Sequence, residues 1–295
     1  MSKPVALDPK VEVRKPTPVL EPTTITPPGE ARGSAAPAKP TINIYKPSVS
    51  QFFLKMLIYG PPGAGKTTLA ASAGGVKEMQ NVLFVNVEGG TLALLDSDVY
   101  GSNSVPDTYD FNNFESLDEL FKFLLAGDHG YKTVIIDSLS ELVKYNLDYI
   151  IAKKRANKTA GNVNKDEDDV FLEDYGTMTK QMRRVVRKFR DLPMHVIFTC
   201  HDAPVGQEAN AQIGAAISNS LRKSVEGFVD VVAYLWVKEE VNEETKASTM
   251  VRKMLTSPHG RFIAKDRSPG QRLGKIMNDP TMPKIMDAIL QRTSK

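Results

Sequence analysis

The feature that most constrains the fold of this 295-residue chain is a glycine-rich loop directly after a short apolar segment, Lys55–Tyr59. The loop has the spacing G-x-x-x-x-G-K-[ST] and consists of Gly60, Pro61, Pro62, Gly63, Ala64, Gly65, Lys66 and Thr67. Glycines allow the backbone to curl until successive N–H groups point at one centre, which the positive end of the next helix also faces. The sequence therefore predicts a buried strand, a phosphate-binding loop and a helix, which together form the first unit of an α/β fold.

The residues of this loop predict ATP and Mg²⁺ as the bound cofactors. Lys66 is expected to reach the β- and γ-phosphates, and the Thr67 hydroxyl is expected to ligate Mg²⁺. The other loop residues supply backbone N–H groups, and we assign Thr68, at the start of the helix, to the same site. A chance glycine-rich turn is the alternative. The apolar strand before the loop and the helix-forming residues after it, Thr67–Ala73, argue against that alternative.

A second Mg²⁺ ligand is expected at Asp137, where the apolar run Val134–Ile136 ends. A parallel sheet brings a carboxylate at this point beside the phosphate-binding loop, as in the Walker B pattern. The next residue is Ser138, which is a candidate for the water shell of the metal. Because a serine cannot serve as a carboxylate base, the general base has to come from another part of the chain.

Two strand-end residues are candidates for the chemistry of hydrolysis. Glu88 follows the strand Val82–Val87, and strand ends of a doubly wound sheet converge on the ligand crevice. A glutamate there can polarise the attacking water, although Glu88 can also be an ordinary turn residue before two glycines. His201 follows the strand His195–Thr199 and is a candidate sensor of the γ-phosphate that signals to the next loop. The alternative for His201 is a strand-end histidine whose hydrogen bonds are satisfied locally.

Short apolar runs alternate with helical stretches from Phe52 onward, which predicts an α/β domain with right-handed crossovers. The remaining predicted strands are Thr133–Ile136 and Val229–Val237. The remaining predicted helices are Leu117–Leu125, Leu139–Ala152, Met178–Leu192 and a short one within Pro280–Ile289. The predicted fold class is a mostly parallel twisted sheet flanked by helices, with a C-terminal β-hairpin between Thr249–Leu255 and Gly260–Ala264.

Proline content divides the chain into segments. More than half of the 19 prolines lie within residues 1–47, and this composition predicts a disordered or polyproline-like tail. The tail is either a solvated tether or a docking arm for a partner. Residues 48–272 form the predicted nucleotide-binding core, and residues 273–295 form a short C-terminal helical segment.

Composition restricts the class of protein further. The net charge of +3 neither demands nor excludes a nucleic-acid partner. Cys200 is the single cysteine, which excludes a disulfide within the chain and fits a reducing compartment. No apolar run approaches the roughly 18 residues of a membrane span, and the N-terminus lacks the apolar core of a signal peptide. We therefore expect a cytoplasmic protein without a membrane partner.

The order of these motifs resembles the RecA-like core of bacterial RecA and RadA. A glutamate follows the second strand, Asp137 and Ser138 follow the third, and a polar residue follows the fourth. AAA+ ATPases differ, because a glutamate usually follows the Walker B aspartate there. The segment 265–270 resembles an element of RadA and DnaB-like proteins whose cations enter the ATP site of the neighbouring subunit. This resemblance implies that Lys265 and Arg267 are trans-acting fingers, and a surface charge cluster is the alternative.

The pattern from about residue 52 to 270 most closely resembles the phage-encoded RecA-core proteins of the Sak type. These are small P-loop ATPases linked to single-strand annealing and recombination. Besides the P-loop, the resemblance rests on residues 87–90, 131–139, 175–176, 195–201 and 265–267. It implies a head-to-tail homo-oligomer on single-stranded DNA, with a single-strand-binding protein as a further partner. It also implies the host-cell cytoplasm if the protein is phage-encoded.

RecA-like proteins line their DNA channel with two loops, and the resemblance places these loops in two segments of this chain. The first follows the Walker B helix and carries Lys153, Lys154, Arg155, Lys158 and Lys165. The second is predicted as an irregular stretch from Asp202 to Asn219, closed by Arg222 and Lys223. Neither loop holds an aromatic residue to stack a base, so binding would rest on charge and depend on salt. A solvated charge run is the alternative for the first segment.

Three other functions compete with DNA recombination. A RecA-like helicase or helicase-loading motor would displace strands at the expense of ATP. A small-molecule kinase would need an acceptor pocket and an arginine-bearing lid, whereas the available arginines lie on one predicted helix: Arg183, Arg184, Arg187 and Arg190. A regulator that binds nucleotide without turnover would not need Glu88.

Overall fold

A computed structural model describes residues 52–95, 105–156, 170–206, 211–241 and 248–291. The predicted tail at 1–47 lies outside the described residues. The α-helices are α1 (Lys66–Ala71), α2 (Ser116–Ala126), α3 (Leu139–Ala156), α4 (Leu172–Arg190), α5 (Asn219–Phe228) and α6 (Met282–Leu290). Short 3₁₀ helices cover Ser72–Gly75, Thr91–Leu95 and Pro269–Gln271.

The strands follow the predicted alternation with additions. The first five are β1 (Lys55–Tyr59), β2 (Val82–Asn86), β3 (Asp107–Asp110), β4 (Thr133–Asp137) and β5 (His195–Cys200). The others are β6 (Asp202–Val205), β7 (Gln212–Ala215), β8 (Val231–Val241), β9 (Ser248–Leu255), β10 (Lys265–Asp266) and β11 (Ile276–Asn278). None of the described helices is long and apolar enough to span a bilayer.

Nine of these strands form one sheet in the order β11-β9-β8-β1-β5-β4-β2-β3, with β10 also paired to β8. The strands from β8 to β3 are parallel to their neighbours, whereas β9, β10 and β11 pair antiparallel at one side. Helices cover both faces, which explains why the central strands read as continuous apolar runs. The predicted fold class, a RecA-like P-loop NTPase core with a mostly parallel sheet, is confirmed.

Alternating side chains of the central strands supply two cores. Leu57 and Tyr59 of β1 face the core under α2, α3, α4 and α5. Met56 and Ile58 face the core under α1 and α6. All four are fully buried, as the period of two along a strand requires when both faces are covered. This double burial fixes β1, and therefore the loop that follows it, within the middle of the sheet.

The predicted C-terminal hairpin exists, but with different partners. Ser248–Leu255 pairs with β8 on one side and with β11 on the other, and the predicted partner, Gly260–Ala264, forms no strand. The physical reason is that β8 extends to Val241, four residues beyond its predicted end, and offers β9 a long antiparallel edge. Phe262 instead stacks on Tyr234, with ring centroids 4.4 Å apart.

Several further elements were not predicted. β3 is a short exposed strand with no apolar alternation, and it adds to the edge of β2. The segment predicted as irregular, Asp202 to Asn219, contains the antiparallel pair β6 and β7 and leads into α5. In the segment assigned to a terminal helix, β11 extends the sheet and α6 buries Met282, Ile285 and Ile289 against it.

Candidate active site

The glycine-rich loop lies at the carboxyl end of β1 and adopts a conformation that its glycines make possible. Gly63 and Gly65 have φ values of 76° and 89°, in the left-handed region that favours glycine. A Cβ atom on Gly60 would lie 2.1 Å from the Leu235 carbonyl oxygen, so no side chain fits there. The loop leads directly into α1, where the Leu69 N–H donates to the Gly65 carbonyl at 2.9 Å. The N–H groups of the first helical turn are therefore available to an anion.

Lys66 places a buried cation at this loop. Its Nζ donates to the carbonyl oxygens of Gly60 and Pro61, both at 2.9 Å, and 7% of the residue is exposed. Burial lowers the pKa of Lys66, and the nearby carboxylates of Glu88 and Asp137 act in the opposite direction. The ammonium group is thus held close to the loop and close to both acidic groups that the sequence assigned to the site.

Asp137 connects the end of β4 to the loop. Its Oδ2 accepts a hydrogen bond from Thr67 Oγ1 at 2.6 Å, and its Oδ1 accepts one from the Thr199 hydroxyl. Burial raises the pKa of Asp137, while the two hydroxyl donors lower it. One carboxylate and one hydroxyl in contact, next to a phosphate-binding loop, are a donor set that suits Mg²⁺, which takes its remaining ligands from phosphates and water. The residues present therefore fit the predicted metal.

Glu88 and His201 meet at the same edge of the sheet. Glu88 Oε1 and His201 Nε2 form a hydrogen bond, with 28% and 33% of the two side chains exposed. The backbone N–H of Glu88 donates to the Asp137 carbonyl at 3.2 Å, and the N–H of His201 donates to Ser140 Oγ at 3.0 Å. The second ring nitrogen of His201 is buried without a hydrogen-bond partner among the described residues. The structure thus brings both candidate residues to the predicted crevice.

Lys265 and Arg267 do not join this group. Lys265 pairs with Val232 near the start of β8, whereas the loop begins after Tyr59, which pairs with Tyr234 further along the same strand. Lys265 Nζ donates to the carbonyl oxygens of Glu226 and Val229, and burial lowers its pKa to about 8. Arg267 is exposed, and its Nη1 donates to the Gly227 carbonyl at 3.2 Å. Both cations lie at the opposite end of the sheet from the loop of their own chain.

The first group of predicted DNA contacts lies partly within the described residues. Lys153, Lys154 and Arg155 lie in the last turn of α3 and not in a loop, which corrects the prediction for the described part of that segment. Lys153 Nζ donates to the Tyr149 hydroxyl at 3.0 Å, and Lys154 pairs with Glu173 at 2.8 Å. Lys158 and Lys165 lie outside the described residues.

The second group of predicted DNA contacts splits into a buried and an exposed residue. Arg222 is only 4% exposed, and its Nε lies 3.2 Å from Glu226 Oε1. The prediction that Arg222 contacts DNA is wrong for this structure, because α5 is amphipathic and turns this side chain inward. Lys223, the next residue along the helix, is exposed.

Sequence reasoning missed three residues around the loop. Thr199 holds Asp137, Ser140 holds the backbone of His201, and the Arg252 side chain packs against Gly65. Thr199 could have been found from the sequence, because the end of one parallel strand lies beside the end of its neighbour. Arg252 carried no such signal, because its position depends on the pairing of β9 with β8.

The chain was compared with protein families, curated sequences and solved structures. A protein-family model described as "AAA domain" matches residues 53–268. The crystal structure of the flagellar accessory protein FlaH from Methanocaldococcus jannaschii is similar at 12% identity, with 68% of this chain and 76% of that chain covered and a TM-score of 0.37. A comparison with curated protein sequences finds no match. Since the family model matches well over half of the chain, this protein belongs to the AAA domain family and contains a nucleotide-binding ATPase domain.

Proposed function

We propose that this protein is an Mg²⁺-dependent ATPase that acts in DNA recombination or single-strand annealing, as a head-to-tail oligomer on single-stranded DNA. The observation that carries the ATPase part is the convergence of Lys66, the Thr67–Asp137 pair and the Glu88–His201 pair at one edge of the sheet. Binding of nucleotide alone would require only the first two of these groups. Hydrolysis also requires a base that accepts a proton from water, which the Glu88–His201 pair would supply.

The residues divide the work of the proposed site. Backbone N–H groups of the loop and Lys66 would hold the phosphates, and Thr67 with Asp137 would hold Mg²⁺, which offsets phosphate charge when bound. Glu88 would orient a water molecule and accept its proton. Its position is fixed by the bond from its backbone N–H to the Asp137 carbonyl, so the base and the metal ligand share one support. His201 would keep the Glu88 carboxylate in place.

The positions of Lys265 and Arg267 support an oligomer. β1 has five residues, so on the order of 15 Å separates the amino end of this strand from the loop. A cation at the amino end of β8 cannot contact phosphates at its own loop across that distance. Of the two, Arg267 is exposed, while Lys265 is held by two carbonyl oxygens. Arg267 is therefore the better candidate for a finger that enters the ATP site of a neighbouring copy.

The proposed DNA contact rests on charge. With Arg222 buried, the predicted cations that remain exposed in the described residues are Lys153, Lys154, Arg155 and Lys223. Because Lys154 already pairs with an acidic residue, we expect Arg155 and Lys223 to contribute more to DNA binding. Contacts of this kind bind phosphates without sequence preference and weaken as salt rises.

The test is the rate of ATP hydrolysis with and without single-stranded DNA over a series of salt concentrations. We expect stimulation that fades as salt rises, with double-stranded DNA as the control. A rate that ignores DNA at every salt concentration would overturn the DNA assignment and favour a kinase or a protein-directed ATPase. A strand-displacement assay in the same buffers separates the alternative of a helicase motor, because annealing and recombination do not require unwinding of a duplex.

A further inference from the structure

Arg252 brings a guanidinium group to the phosphate-binding loop from the far side of β8. It lies on β9 opposite Val237. A Cβ atom on Gly65 would lie 2.7 Å from Arg252 Nε and 3.4 Å from its Cζ, so the guanidinium packs directly on the backbone of the loop. Arg252 is exposed, and no salt bridge to it is found among the residues that the structure describes. Its charge is therefore available to a ligand at the loop.

The backbone holds Arg252 in this position from both sides. On one side β9 pairs with β8, and on the other side β11 pairs with β9. The Arg252 N–H donates to Asp279 Oδ1 at 3.1 Å, and the Asp279 N–H donates back to the Arg252 carbonyl at 2.7 Å. The cation thus sits on a fixed strand in the interior of the sheet, unlike a side chain on a free loop.

The order of the strands separates Arg252 from the hydrolytic groups. In the sheet, β9 lies two strands from β1 on one side, while β5, β4 and β2, which carry His201, Asp137 and Glu88 at their ends, lie on the other side. The loop after β1 lies between these two sets. Backbone groups of a P-loop cradle the α- and β-phosphates, and the lysine reaches the β- and γ-phosphates. A cation at Gly65, away from Glu88, is thus placed for the α,β-diphosphate.

We propose that Arg252 binds the α,β-diphosphate of the nucleotide in the loop of its own chain. The inference rests on the proposed ATP site and names a binding residue within it. Because ATP and ADP share this diphosphate, Arg252 contributes to the binding of both. A guanidinium can donate two parallel hydrogen bonds to a phosphate, which an ammonium group cannot, so arginine and lysine are not equivalent at this position.

Binding shared by substrate and product has a kinetic signature. An interaction made equally in the ground state and the transition state changes KM more than kcat. Arg252→Ala should therefore raise KM for ATP and weaken ADP binding by the same factor. We expect about a tenfold effect on each, which is a typical loss for one charge-assisted contact at a partly exposed site. Arg252→Lys should recover only part of it.

The experiment measures equilibrium dissociation constants of Mg²⁺–ADP and of a non-hydrolysable Mg²⁺–ATP analogue, together with KM and kcat. The variants are Arg252→Ala, Arg252→Lys, Lys66→Ala, and Lys238→Ala as the matched control. Lys238 is an exposed cation on the same hairpin, but it stands next to Val237 and so on the opposite face of the sheet. Circular dichroism establishes that each variant is folded.

The proposal is supported if Arg252→Ala weakens both nucleotides alike while Lys238→Ala leaves them unchanged. It is overturned if the ADP dissociation constant of folded Arg252→Ala equals that of the parent, or if kcat falls more than KM rises. In either case a large loss in Lys66→Ala would leave the proposed ATP site intact. If neither Lys66→Ala nor Arg252→Ala affects nucleotide binding, the proposed function itself fails.

Discussion

Glu88 Oε1 and His201 Nε2 share a hydrogen bond across the ends of β2 and β5, two strands that β4 separates. Asp137, at the end of β4, lies between them and accepts the backbone N–H of Glu88 at 3.2 Å. His201 is followed at once by β6, which pairs antiparallel with β7 to form a small hairpin. A shift of Glu88 toward a ligand would therefore change the contact of the residue that begins this hairpin. We infer that the pair links the state of the nucleotide to the hairpin.

His201→Ala tests this link. We expect the ratio of the DNA-stimulated to the unstimulated rate of ATP hydrolysis to fall by at least about fivefold, the lower end of typical coupling between sites. The measurement is the steady-state rate with and without single-stranded DNA, with His259→Ala as an exposed control. Equal stimulation in parent and His201→Ala would show that His201 does not couple the two sites.

Asp137→Asn should remove the metal ligand without loosening the fold. We expect turnover to fall by at least about 100-fold, beyond what loss of an outer-shell partner costs, and the remaining activity to need more Mg²⁺. Burial raises the pKa of Asp137, so the folded state disfavours the ionised carboxylate, and stability falls as pH rises through its titration. A neutral amide removes this penalty, so the variant should unfold at pH 7 no earlier than the parent.

The rate of hydrolysis is measured over a series of Mg²⁺ concentrations to test the metal role. Thermal unfolding of the nucleotide-free protein tests the predicted stability. Asp128→Asn, an exposed loop residue, is the control. Unchanged Mg²⁺ dependence in Asp137→Asn would exclude Asp137 as the ligand.

Arg267→Ala should lose turnover but regain it in a mixture. We expect a loss of at least about 1,000-fold, the lower end of what arginine fingers contribute. In an equal mixture of Arg267→Ala and Lys66→Ala subunits, an intact loop from an Arg267→Ala subunit meets an intact Arg267 from a Lys66→Ala subunit. Random head-to-tail assembly produces such a site at about a quarter of the interfaces. The measurement is the rate of the mixture relative to each variant alone, with Arg261→Ala as another exposed arginine. A mixture that stays inactive, although both variants assemble, contradicts the trans-acting role.

The lowered pKa of Lys55 predicts how the free energy of unfolding depends on pH in the alkaline range. Its Nζ donates to the carbonyl oxygens of Leu192 and Met194, at 2.8 and 2.5 Å, and burial lowers its pKa from 10.5 to about 8. Between these two values the unfolded chain binds more protons than the folded one, so stability rises with pH across that window. Lys265, with a pKa lowered to about 8, acts in the same direction.

Lys55→Met should reduce the rise of the unfolding free energy with pH between about pH 8 and 10.5. It should also cost about 2 kcal/mol at pH 7, because the Met194 carbonyl oxygen loses the Lys55 donor, whereas the Leu192 carbonyl still accepts the Met194 N–H at 2.8 Å. Urea unfolding at several pH values from 7.5 to about 10.5 measures both effects, with Lys275→Met as an exposed control. A slope equal to that of the parent would mean that Lys55 does not titrate in this range.

Local patterns were sufficient for the parts of the site that lie in the first residues after a buried strand. The bounds of β1 match the prediction residue for residue, and Lys66, Asp137 and Glu88 each follow or end an apolar run whose register is fixed by burial. In a parallel sheet such ends meet at one edge, so their proximity follows from the fold class alone.

What could not be predicted depends on contacts between distant segments. The sequence predicts that β9 pairs with the nearest downstream apolar run. In the structure β9 pairs antiparallel with the extended end of β8. Arg222 looks like an exposed basic residue in sequence, yet α5 turns it inward, where Glu226 compensates its charge. Arg252 reaches the loop only because that pairing sets the register of β9 opposite Val237. The two relations of β9 leave no periodic signal in the sequence, whereas Arg222 and Glu226 are four residues apart on one helix.

Single-turnover ATP hydrolysis by Glu88→Gln, compared with the parent, tests most directly whether Glu88 is the general base. Glutamine keeps an oxygen that can accept the His201 hydrogen bond but cannot take a proton from water. We predict nucleotide affinity within about twofold of the parent and a rate of hydrolysis lower by about 100- to 10,000-fold. Hydrolysis at a rate close to that of the parent, in a variant that folds and binds ATP normally, would contradict the assignment of Glu88 as the base.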